Sequence, residues 1–185
     1  MNKEELIKQV QELEKILADR RAEIEQLERQ DRLKNYKDVK AGETFIYKEH
    51  EYTKLKNGKA IINNYDRDFM TCFFDNVNND YDNSLIKHYI NSEKFLNCLL
   101  LYRFDFSATG DYCELLSKEE YERYKDIIKK FGNRWWLRSS CCHNYYAYSI
   151  DKDGDVDEDV VNFSYHGVRP SFNFHDDIGV EVINE

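Results

Sequence analysis

The chain of 185 residues lacks most of the short motifs that identify an enzyme or a cofactor site. It has only seven glycines and neither a P-loop nor a G-x-G-x-x-G fingerprint, so no loop is suited to cradling a phosphate. No C-x-x-C is present, and the adjacent Cys142 and His143 are expected to point poorly at one ion. The sequence therefore predicts neither a nucleotide-binding loop nor a structural zinc.

Long apolar runs and a signal peptide are also missing. The longest apolar run, around residues 99–101, is far too short to span a bilayer, and the N-terminal MNKEELIKQV has no apolar core. The five cysteines are an odd number at scattered spacing, which favours reduced thiols over a disulfide framework. We therefore expect a cytoplasmic or virion-associated protein with no membrane partner.

The chain has fewer basic than acidic residues, which argues against a negatively charged binding partner. The net charge is -9, and residues 1–35 hold 8 basic and 9 acidic residues, so -8 falls on the remainder. A sequence-independent grip on nucleic acid or on an anionic membrane needs a basic face, so neither partner is expected. Aromatic residues are abundant, at 15%, and predict an aromatic-rich core or contact surface.

Residues 3–34 have the pattern of one long helix. Apolar side chains recur at the a and d positions of a heptad, with Arg20 at one d position and charged residues at the ends of both registers. So narrow a stripe is typical of a coiled coil, although docking on the chain's own domain is the alternative. We expect residues 1–35 to form a homo-oligomer, either a dimer or a trimer, through Val10, Leu17, Ile24, Leu6, Leu13 and Leu27.

The remainder is predicted to be an α+β domain over residues 43–185, joined by a linker at 36–42. Residues 44–62 indicate three antiparallel strands, with a two-residue hairpin turn at Asn57-Gly58. Asn/Asp-rich residues 75–83 indicate an exposed loop. Helices are expected after Asn83 or Ser84, from Ser92, and from Lys118 to about Phe131; β character follows from Trp135, with strands near 145–150, 156–163, 168–174 and 179–183.

The acidic run DKDGDVDED at 151–159 invites a calcium interpretation. An EF-hand needs glycine in sixth position, whereas Gly154 is fourth, so that motif fails. We expect a solvent-exposed hairpin turned at Asp153-Gly154, with no cofactor. An adventitious Ca²⁺ site at Asp151, Asp153 and Asp155 is the alternative.

Two short segments have an unusual composition. Residues 139–149 and 162–166 contain Tyr, Ser, Asn, Cys and His but no Lys, Glu, Gln, Met or Trp. Rigid rings with short hydrogen-bonding side chains are typical of binding surfaces, although an ordinary Tyr-rich hairpin is the alternative. We predict the ligand contacts to be Ser140, Cys141, Cys142, His143, Asn144, Tyr145, Tyr146, Tyr148, Asn162, Phe163, Ser164, Tyr165 and His166.

The residues that flank these segments are interpreted as scaffold. Trp135 and Trp136 would face opposite ways on a strand, one in the core and the other under the contact surface. Arg138 and Arg169 would hydrogen-bond loop carbonyls or carboxylates through the guanidinium fork. The predicted scaffold residues are Trp135, Trp136, Arg138, Asp153, Gly154, Gly167, Arg169 and Pro170.

Cysteine catalysis is a further alternative. Cys142 and His143 are neighbours and would point to opposite faces of an extended chain, whereas Cys141 and His143 could share a face. Nothing marks an oxyanion hole, so we do not expect a catalytic triad.

These residues carry a resemblance to a known family. WWLRSS at 135–140, the Asp153-Gly154 turn and GVRPSFNF at 167–174 resemble a domain of Firmicutes and their phages with the pattern WWLRSP, a DG turn and GVRPAL. This chain departs from it at Ser140 and at 171–172. Upstream segments also fit, so the resemblance covers about residues 42–175, including GKAIIN, SLIKHYINSEKFLN and LLSKEEYERY.

The resemblance implies a C-type-lectin-like fold and a binding function. Some members are similar to the variable proteins of diversity-generating retroelements, in which adenines of Asn codons are mutagenised near the C-terminus. Such codons can give Tyr, Ser, Cys, His, Asp, Phe, Ala and Val but not Lys, Glu, Gln, Met or Trp, which agrees with 139–149 and 162–166. We expect a receptor-type protein that binds an unknown protein or glycan; the alternatives are a phage fibre-tip component and a cysteine-dependent enzyme.

Overall fold

The computed structural model describes residues 2–63, 71–107 and 111–183. The chain divides into two compact units, Met1–Leu33 and Lys34–Glu185. The larger unit contains both sheets and the shorter helices. The expected α+β class is confirmed.

Helix α1 runs over Lys3–Asp31 and begins with a capping box. Asn2 Oδ1 accepts from the backbone N–H of Glu4, and the Glu5 carboxylate accepts from the N–H of Asn2 at 2.9 Å. No side chain of the helix is buried, and eight large apolar side chains are 47% to 64% exposed: Leu6, Ile7, Val10, Leu13, Ile16, Leu17, Ile24 and Leu27. Taken by itself, the helix leaves its whole apolar stripe uncovered.

The larger sheet has seven strands in the order β1-β10-β2-β3-β4-β9-β5. The strands are β1 (Leu33–Asn35), β2 (Thr44–Tyr47), β3 (His50–Lys54), β4 (Ala60–Ile62), β5 (Cys113–Glu114), β9 (Ser171–Phe172) and β10 (Gly179–Ile183). The predicted antiparallel arrangement of β2, β3 and β4 is confirmed. Because β9 pairs with both β4 and β5, the chain after Arg169 lies inside this sheet, one strand from its edge.

The smaller sheet has three antiparallel strands in the order β6-β7-β8. They are β6 (Trp135–Ser140), β7 (Tyr146–Ile150) and β8 (Val156–Val160). The strands lie where the sequence predicted them, although β8 and β9 are shorter than expected. A register shift between Trp136 and Ser140 marks an irregularity in β6.

Four α-helices and three 3-10 helices complete the described residues. Besides α1, the α-helices are α2 (Leu85–Ile90), α3 (Glu93–Cys98) and α4 (Lys118–Tyr124); the 3-10 turns are Tyr36–Asp38, Tyr81–Asn83 and Arg103–Asp105. Ser84, Ser92 and Ser117 cap α2, α3 and α4 through their hydroxyl oxygens. The expectation that α4 extends to Phe131 is wrong, because the chain leaves the helix after Tyr124.

The segment 36–42 was predicted to be a linker, and this prediction is wrong. Tyr36 and Val39 are buried in the main core, and the Tyr36 N–H donates to the carbonyl of Ile178 at 2.9 Å. The folded unit therefore begins before residue 43.

The core consists of two clusters of buried side chains. The first, which contains Trp136, Phe45 and Phe172, lies among the larger sheet, α2 and α3. The second contains Trp135, Leu137 and Tyr121 with partly buried Phe131 beside them. Because successive side chains of a strand point to opposite faces, β6 sends its two tryptophans into different clusters.

The predicted hairpins at Asn57-Gly58 and Asp153-Gly154 both form. A two-residue turn was expected at Asn57-Gly58, but the loop has three residues. The Leu55 N–H donates to the Lys59 carbonyl at 2.7 Å, which leaves three residues in the loop. Only Gly58 has a positive φ, of 85°, and Asn57 instead accepts from the Lys59 N–H through its side chain. The hairpin at Asp153-Gly154 has the same layout, with Gly154 at φ 96°.

Within the part of the chain that the structure describes, no helix combines the length and the apolar character needed to cross a membrane.

Candidate ligand-binding surface

The two segments predicted to contact a ligand meet at one end of the smaller sheet. β6 ends at Ser140 and β7 begins at Tyr146, so residues 141–145 form the loop between them. β8 runs antiparallel to β7 and ends at Val160, beside Tyr146. The Val161 N–H donates to the Tyr145 carbonyl at 2.9 Å, which joins the loop to the second segment. We call this the recognition surface, comprising residues 140–146 and 162–165.

Most of the predicted contact residues are exposed on this surface. Tyr145 is 60% exposed, Tyr146 39%, Phe163 44% and Tyr165 79%. The other exposed members are polar or small: Ser140, Cys142, His143, Asn144, Asn162 and Ser164, with Cys141 partly exposed. Four exposed rings in one place provide a large apolar contact area with little conformational freedom to lose.

The rings contact one another in edge-to-face arrangements. The centroids of Phe163 and Tyr165 are 5.5 Å apart, with an interplanar angle of 68°. The rings of His143 and Tyr146 are 6.0 Å apart at 70°. These separations lie in the range in which aromatic pairs attract one another. The pairs therefore help to fix the orientation of the exposed rings.

Asn79 fixes the loop between β6 and β7 from outside the sheet. Its side-chain Nδ2 lies 3.2 Å from the carbonyl oxygen of Cys141, 3.1 Å from that of His143 and 2.8 Å from that of Tyr146. One amide group thus contacts two carbonyls of the loop and the carbonyl of Tyr146, at which β7 begins. Across the loop, the Cys141 N–H donates to the Tyr146 carbonyl at 3.2 Å.

His166 is a correction to the predicted contact set. Its side chain is only 1% exposed and stacks on Trp136, with ring centroids 4.2 Å apart. Burial lowers the pKa of His166 to about 4, although nearby Asp159 opposes the shift. Neither ring nitrogen makes a hydrogen bond among the described residues, while Nε2 lies 3.3 Å from the Asp159 carboxylate. His166 therefore supports the surface from beneath.

Tyr148 is the second member of the set that the structure places differently. Its ring is partly buried against the second cluster, and the Lys118 ammonium lies 4.0 Å from its centroid. It is therefore a packing residue with one accessible edge and is not part of the recognition surface.

Trp136 supports the recognition surface from below. It is fully buried, with Phe74 on one side at 5.8 Å and the His166 ring stacked on it. Its indole Nε1–H donates to the carbonyl of Cys72 at 2.9 Å. Trp135, on the other face of β6, packs against Tyr121 in the second cluster. The prediction that the pair faces opposite ways is confirmed, and both rings are core.

Both predicted scaffold arginines make structural contacts. Arg138 pairs with the carboxylates of Glu114 at 2.5 Å and Glu120 at 2.8 Å. Arg169 is 1% exposed, and its Nε–H donates to the Ile62 carbonyl at 2.7 Å. Its guanidinium also lies over the rings of Phe131 and Trp135.

Gly167 and Pro170 complete the predicted scaffold. The Gly167 N–H donates to the Arg134 carbonyl at 2.7 Å, and its carbonyl accepts from the Trp136 N–H at 3.2 Å. The Pro170 carbonyl accepts from the Ile62 N–H at 3.5 Å. These bonds hold the chain after the recognition surface between the two sheets.

The acidic hairpin lies at the opposite end of the smaller sheet. Asp151 Oδ1 accepts from the N–H groups of Asp153, Gly154 and Asp155, each at 2.9 Å. These backbone donors lower the pKa of the Asp151 carboxyl. Because this oxygen is occupied by the turn, the calcium alternative gains no support from the geometry. Asp153 and Gly154 form the turn itself, as predicted for scaffold residues.

Cys142 and His143 lie close together, which contradicts the expectation that they point apart. Cys142 Sγ is 2.9 Å from His143 Nδ1. That expectation assumed an extended chain, whereas the two residues lie in a turn in which the Tyr146 N–H donates to the His143 carbonyl. Both side chains are exposed to solvent.

Sequence reasoning missed the contribution of residues 71–79 to this surface. The Asn/Asp-rich stretch was interpreted as an exposed loop, whereas Asn79 holds the loop between β6 and β7. The N–H of Asp75 donates to the Val161 carbonyl, and that of Cys72 donates to the His166 carbonyl. The Asn/Asp-rich composition from residue 75 onward is the only sequence signal in this stretch, and it does not indicate which residues the stretch contacts.

A family model described as a domain of unknown function (DUF6273) matches residues 102–175. That range is less than half of the chain and contains the whole recognition surface. A comparison with curated proteins found no match. A comparison with solved structures found none either.

Proposed function

We propose that this protein is a receptor-type binding protein that recognises a protein or glycan ligand through the recognition surface. The observation that carries the proposal is the convergence of residues 140–146 and 162–165 at one end of the smaller sheet. Two segments chosen by composition alone meet in space, and the acidic hairpin that composition assigned to scaffold lies at the far end.

The chemistry of the surface favours binding over catalysis. Four exposed aromatic rings surround short polar side chains, an arrangement that gives contact area and adaptable hydrogen bonds. The backbone beneath is fixed by Asn79 and by the Trp136–His166 stack. A preorganised surface loses less conformational entropy when a ligand binds.

The proposal extends to the scaffold and to its origin. The C-type-lectin-like fold implied by the family resemblance displays loops at one end of a small sheet, which is where these two segments lie. The composition of the segments is compatible with mutagenesis of Asn codons by a diversity-generating retroelement. In this proposal, the varied positions are the exposed ones, and Trp136 and Arg169 are constant.

Oligomerisation through α1 is the second part of the proposal. The helix has eight exposed apolar side chains along its length, at the positions expected for a coiled-coil seam and beside it. A dimer or trimer would display several recognition surfaces together and convert weak single contacts into avidity.

Replacement of exposed tyrosines tests recognition. The full chain is first screened against a glycan array and a peptide-display library, and the selected probe is titrated against the variant Tyr145→Ala/Tyr146→Ala/Tyr165→Ala. One aromatic anchor at a binding surface contributes about 2 kcal/mol, or about 30-fold in Kd, so the loss of three rings whose contributions are not additive should weaken binding by at least about 100-fold. The melting temperature should change little because these rings are largely exposed.

Phe104→Ala is the matched control, since Phe104 is 76% exposed and lies outside both segments. It should retain the affinity of the unmodified chain. Unfolding of the triple variant would identify the tyrosines as core residues, and undiminished binding by it would disprove recognition through this surface. Failure of both libraries to yield any probe would also count against the proposal.

Light scattering tests oligomerisation. The full chain should have two or three times the mass of one chain, and removal of residues 1–33 should reduce it to the mass of one chain. If the full and the shortened protein had the same number of chains per particle, a coiled-coil role for α1 would be disproved.

Diversification has a separate test in the neighbouring DNA. A near-copy of the codons for residues 135–174 with a higher Asn content, beside a reverse-transcriptase gene, is the expected arrangement. Absence of both from the surrounding genome would disprove diversification while leaving recognition untouched.

A further inference from the structure

Three potential metal ligands converge at the edge of the recognition surface. Sγ of Cys141, Sγ of Cys142 and a carboxylate oxygen of Glu158 all lie within 4.8 Å of one another. The two sulfurs are 3.5 Å apart. A tetrahedral ion with bonds of about 2.3 Å to two sulfurs holds them about 3.8 Å apart, so the thiols are already near the separation that such an ion requires.

The fold explains why residues distant in sequence meet here. Cys141 and Cys142 follow the last residue of β6 and lie in a turn, so their side chains are not forced to opposite faces as they would be on a strand. Glu158 lies on β8, across β7 from β6, opposite Tyr148. Asn79 fixes the loop through the Cys141 carbonyl.

The charges of the cluster favour a cation. The two thiols and the Glu158 carboxyl group of this cluster are all anionic when deprotonated. A divalent cation binds such groups in their deprotonated forms, and its binding releases their protons.

The ligand types indicate the class of metal. Two thiolates favour zinc and related thiophilic ions over calcium or magnesium, which prefer oxygen ligands. His143 Nδ1 makes a hydrogen bond to Cys142 Sγ at 2.9 Å, but the His143 ring does not join the three ligand atoms that lie within 4.8 Å of one another. Two sulfurs and one oxygen would supply three ligands of a tetrahedral ion and leave its fourth position to solvent.

We propose that Cys141, Cys142 and Glu158 form a binding site for a thiophilic divalent cation of the zinc class. The site lies on the loop between β6 and β7, so an occupied site would tie that loop to β8. It does not depend on the proposed recognition function, and either proposal can fail without the other.

Titration of the reduced full chain with Co²⁺ tests the site. Cobalt bound by thiolates in a tetrahedral site gives a thiolate-to-metal band in the near ultraviolet and intense visible bands. We expect both, at one ion per chain, and we expect Zn²⁺ to displace the cobalt and abolish them. The variant Cys142→Ser should bind cobalt much more weakly and give a smaller thiolate band, because only Cys141 remains, and Glu158→Gln should retain the full band with weaker binding.

The expected loss of metal affinity follows from the roles of the substituted residues. Loss of an outer-shell partner of a metal weakens binding by about 10–100-fold, so loss of a direct thiolate ligand should weaken it by at least about 100-fold. Both substituted side chains are exposed, so the melting temperatures of the metal-free variants should match that of the unmodified chain.

Cys98→Ser is the matched control, because Cys98 is also an exposed free thiol but lies on α3. It should bind cobalt as the unmodified chain does. Equal loss in Cys98→Ser and Cys142→Ser would show adventitious thiol binding and overturn the proposal. The absence of tetrahedral bands, or a cobalt affinity unchanged in Cys142→Ser, would overturn it as well.

Discussion

Replacement of Asn79 by aspartate should detach the loop between β6 and β7 from the rest of the domain. Asn79 Nδ2 contacts the carbonyl oxygens of Cys141, His143 and Tyr146 at 2.8 to 3.2 Å. An amide NH₂ has two protons, so at most two of these contacts are full hydrogen bonds at one time. Aspartate would remove both donors and turn a negative oxygen toward the carbonyls.

The magnitude can be estimated from those contacts. A typical hydrogen bond contributes about 1 kcal/mol net, so Asn79→Ala should lower the free energy of unfolding by about 1–2 kcal/mol, with partial solvent access reducing the effect. At about 2–4 °C per kcal/mol for a unit of this size, the melting temperature should fall by roughly 2–8 °C. Asn79→Asp should cost more than Asn79→Ala because of the added repulsion.

Amide hydrogen exchange is the appropriate assay, because the effect should be local. Protection of the Cys141 and Tyr146 N–H groups should fall in Asn79→Asp, since both take part in hydrogen bonds across the loop. Probe binding should weaken with it. Protection of the β2–β3 pair should be unchanged, because those strands lie in the larger sheet.

Asn78→Asp is the matched control. The Asn78 side-chain oxygen accepts from the Asp80 N–H at 2.9 Å, and aspartate retains that acceptor. This variant should have the melting temperature and the loop protection of the unmodified chain. If Asn79→Asp and Asn78→Asp gave the same melting temperature and the same loop protection, the role assigned to Asn79 would be refuted.

Two further predictions concern buried ionisable groups. Burial lowers the pKa of His166 from 6.5 to about 4, so between these pH values the unfolded chain binds more protons and the folded state loses stability as the pH falls. Urea unfolding should show a loss of up to about 1.4 kcal/mol per pH unit in that window, and His166→Phe should remove it. Arg169→Lys should lower the free energy of unfolding by about 2–4 kcal/mol, because an ammonium cannot reproduce the bonds to the Ile62 carbonyl and Asn63 side chain. Urea titration at neutral pH measures this change in the free energy of unfolding.

The predictions for His166 and Arg169 each have a matched control variant. His143→Phe replaces an exposed histidine and should keep the pH dependence of the unmodified chain. A flat pH profile for the unmodified chain would contradict the account of His166. Arg134→Lys replaces an exposed arginine paired with Asp157 and should cost no more than about 1 kcal/mol. An equal effect at Arg134 and Arg169 would contradict the role of the buried guanidinium fork.

Local signals predicted the strands and turns well. Gly58 and Gly154 mark the two hairpins because a positive φ is costly for other residues, and the loose alternation at 145–150 located β7. The end of α4 was not predictable in this way. Ile127 and Ile128 have helical spacing from Tyr124, but they pack in the second cluster from turns beyond the helix.

The recognition surface was predictable in composition but not in detail. His166 belongs to the same short polar and aromatic segment as Tyr165, and only the contact with Trp136 distinguishes a buried ring from an exposed one. The approach of Glu158 to Cys141 depends on the pairing of β8 with β7, which the sequence does not specify by residue. Contacts between distant residues were therefore the main gap.

The burial pattern along β7 has a consequence for how this surface can change over generations. Ala147 and Ser149 are fully buried, whereas Tyr146 lies on the recognition surface. Under the proposed recognition function, mutations at the exposed positions change ligand binding without disturbing the fold, while mutations at the two small buried residues do the reverse. Natural selection can thus act on affinity and on stability through separate sets of codons, even where those codons are neighbours.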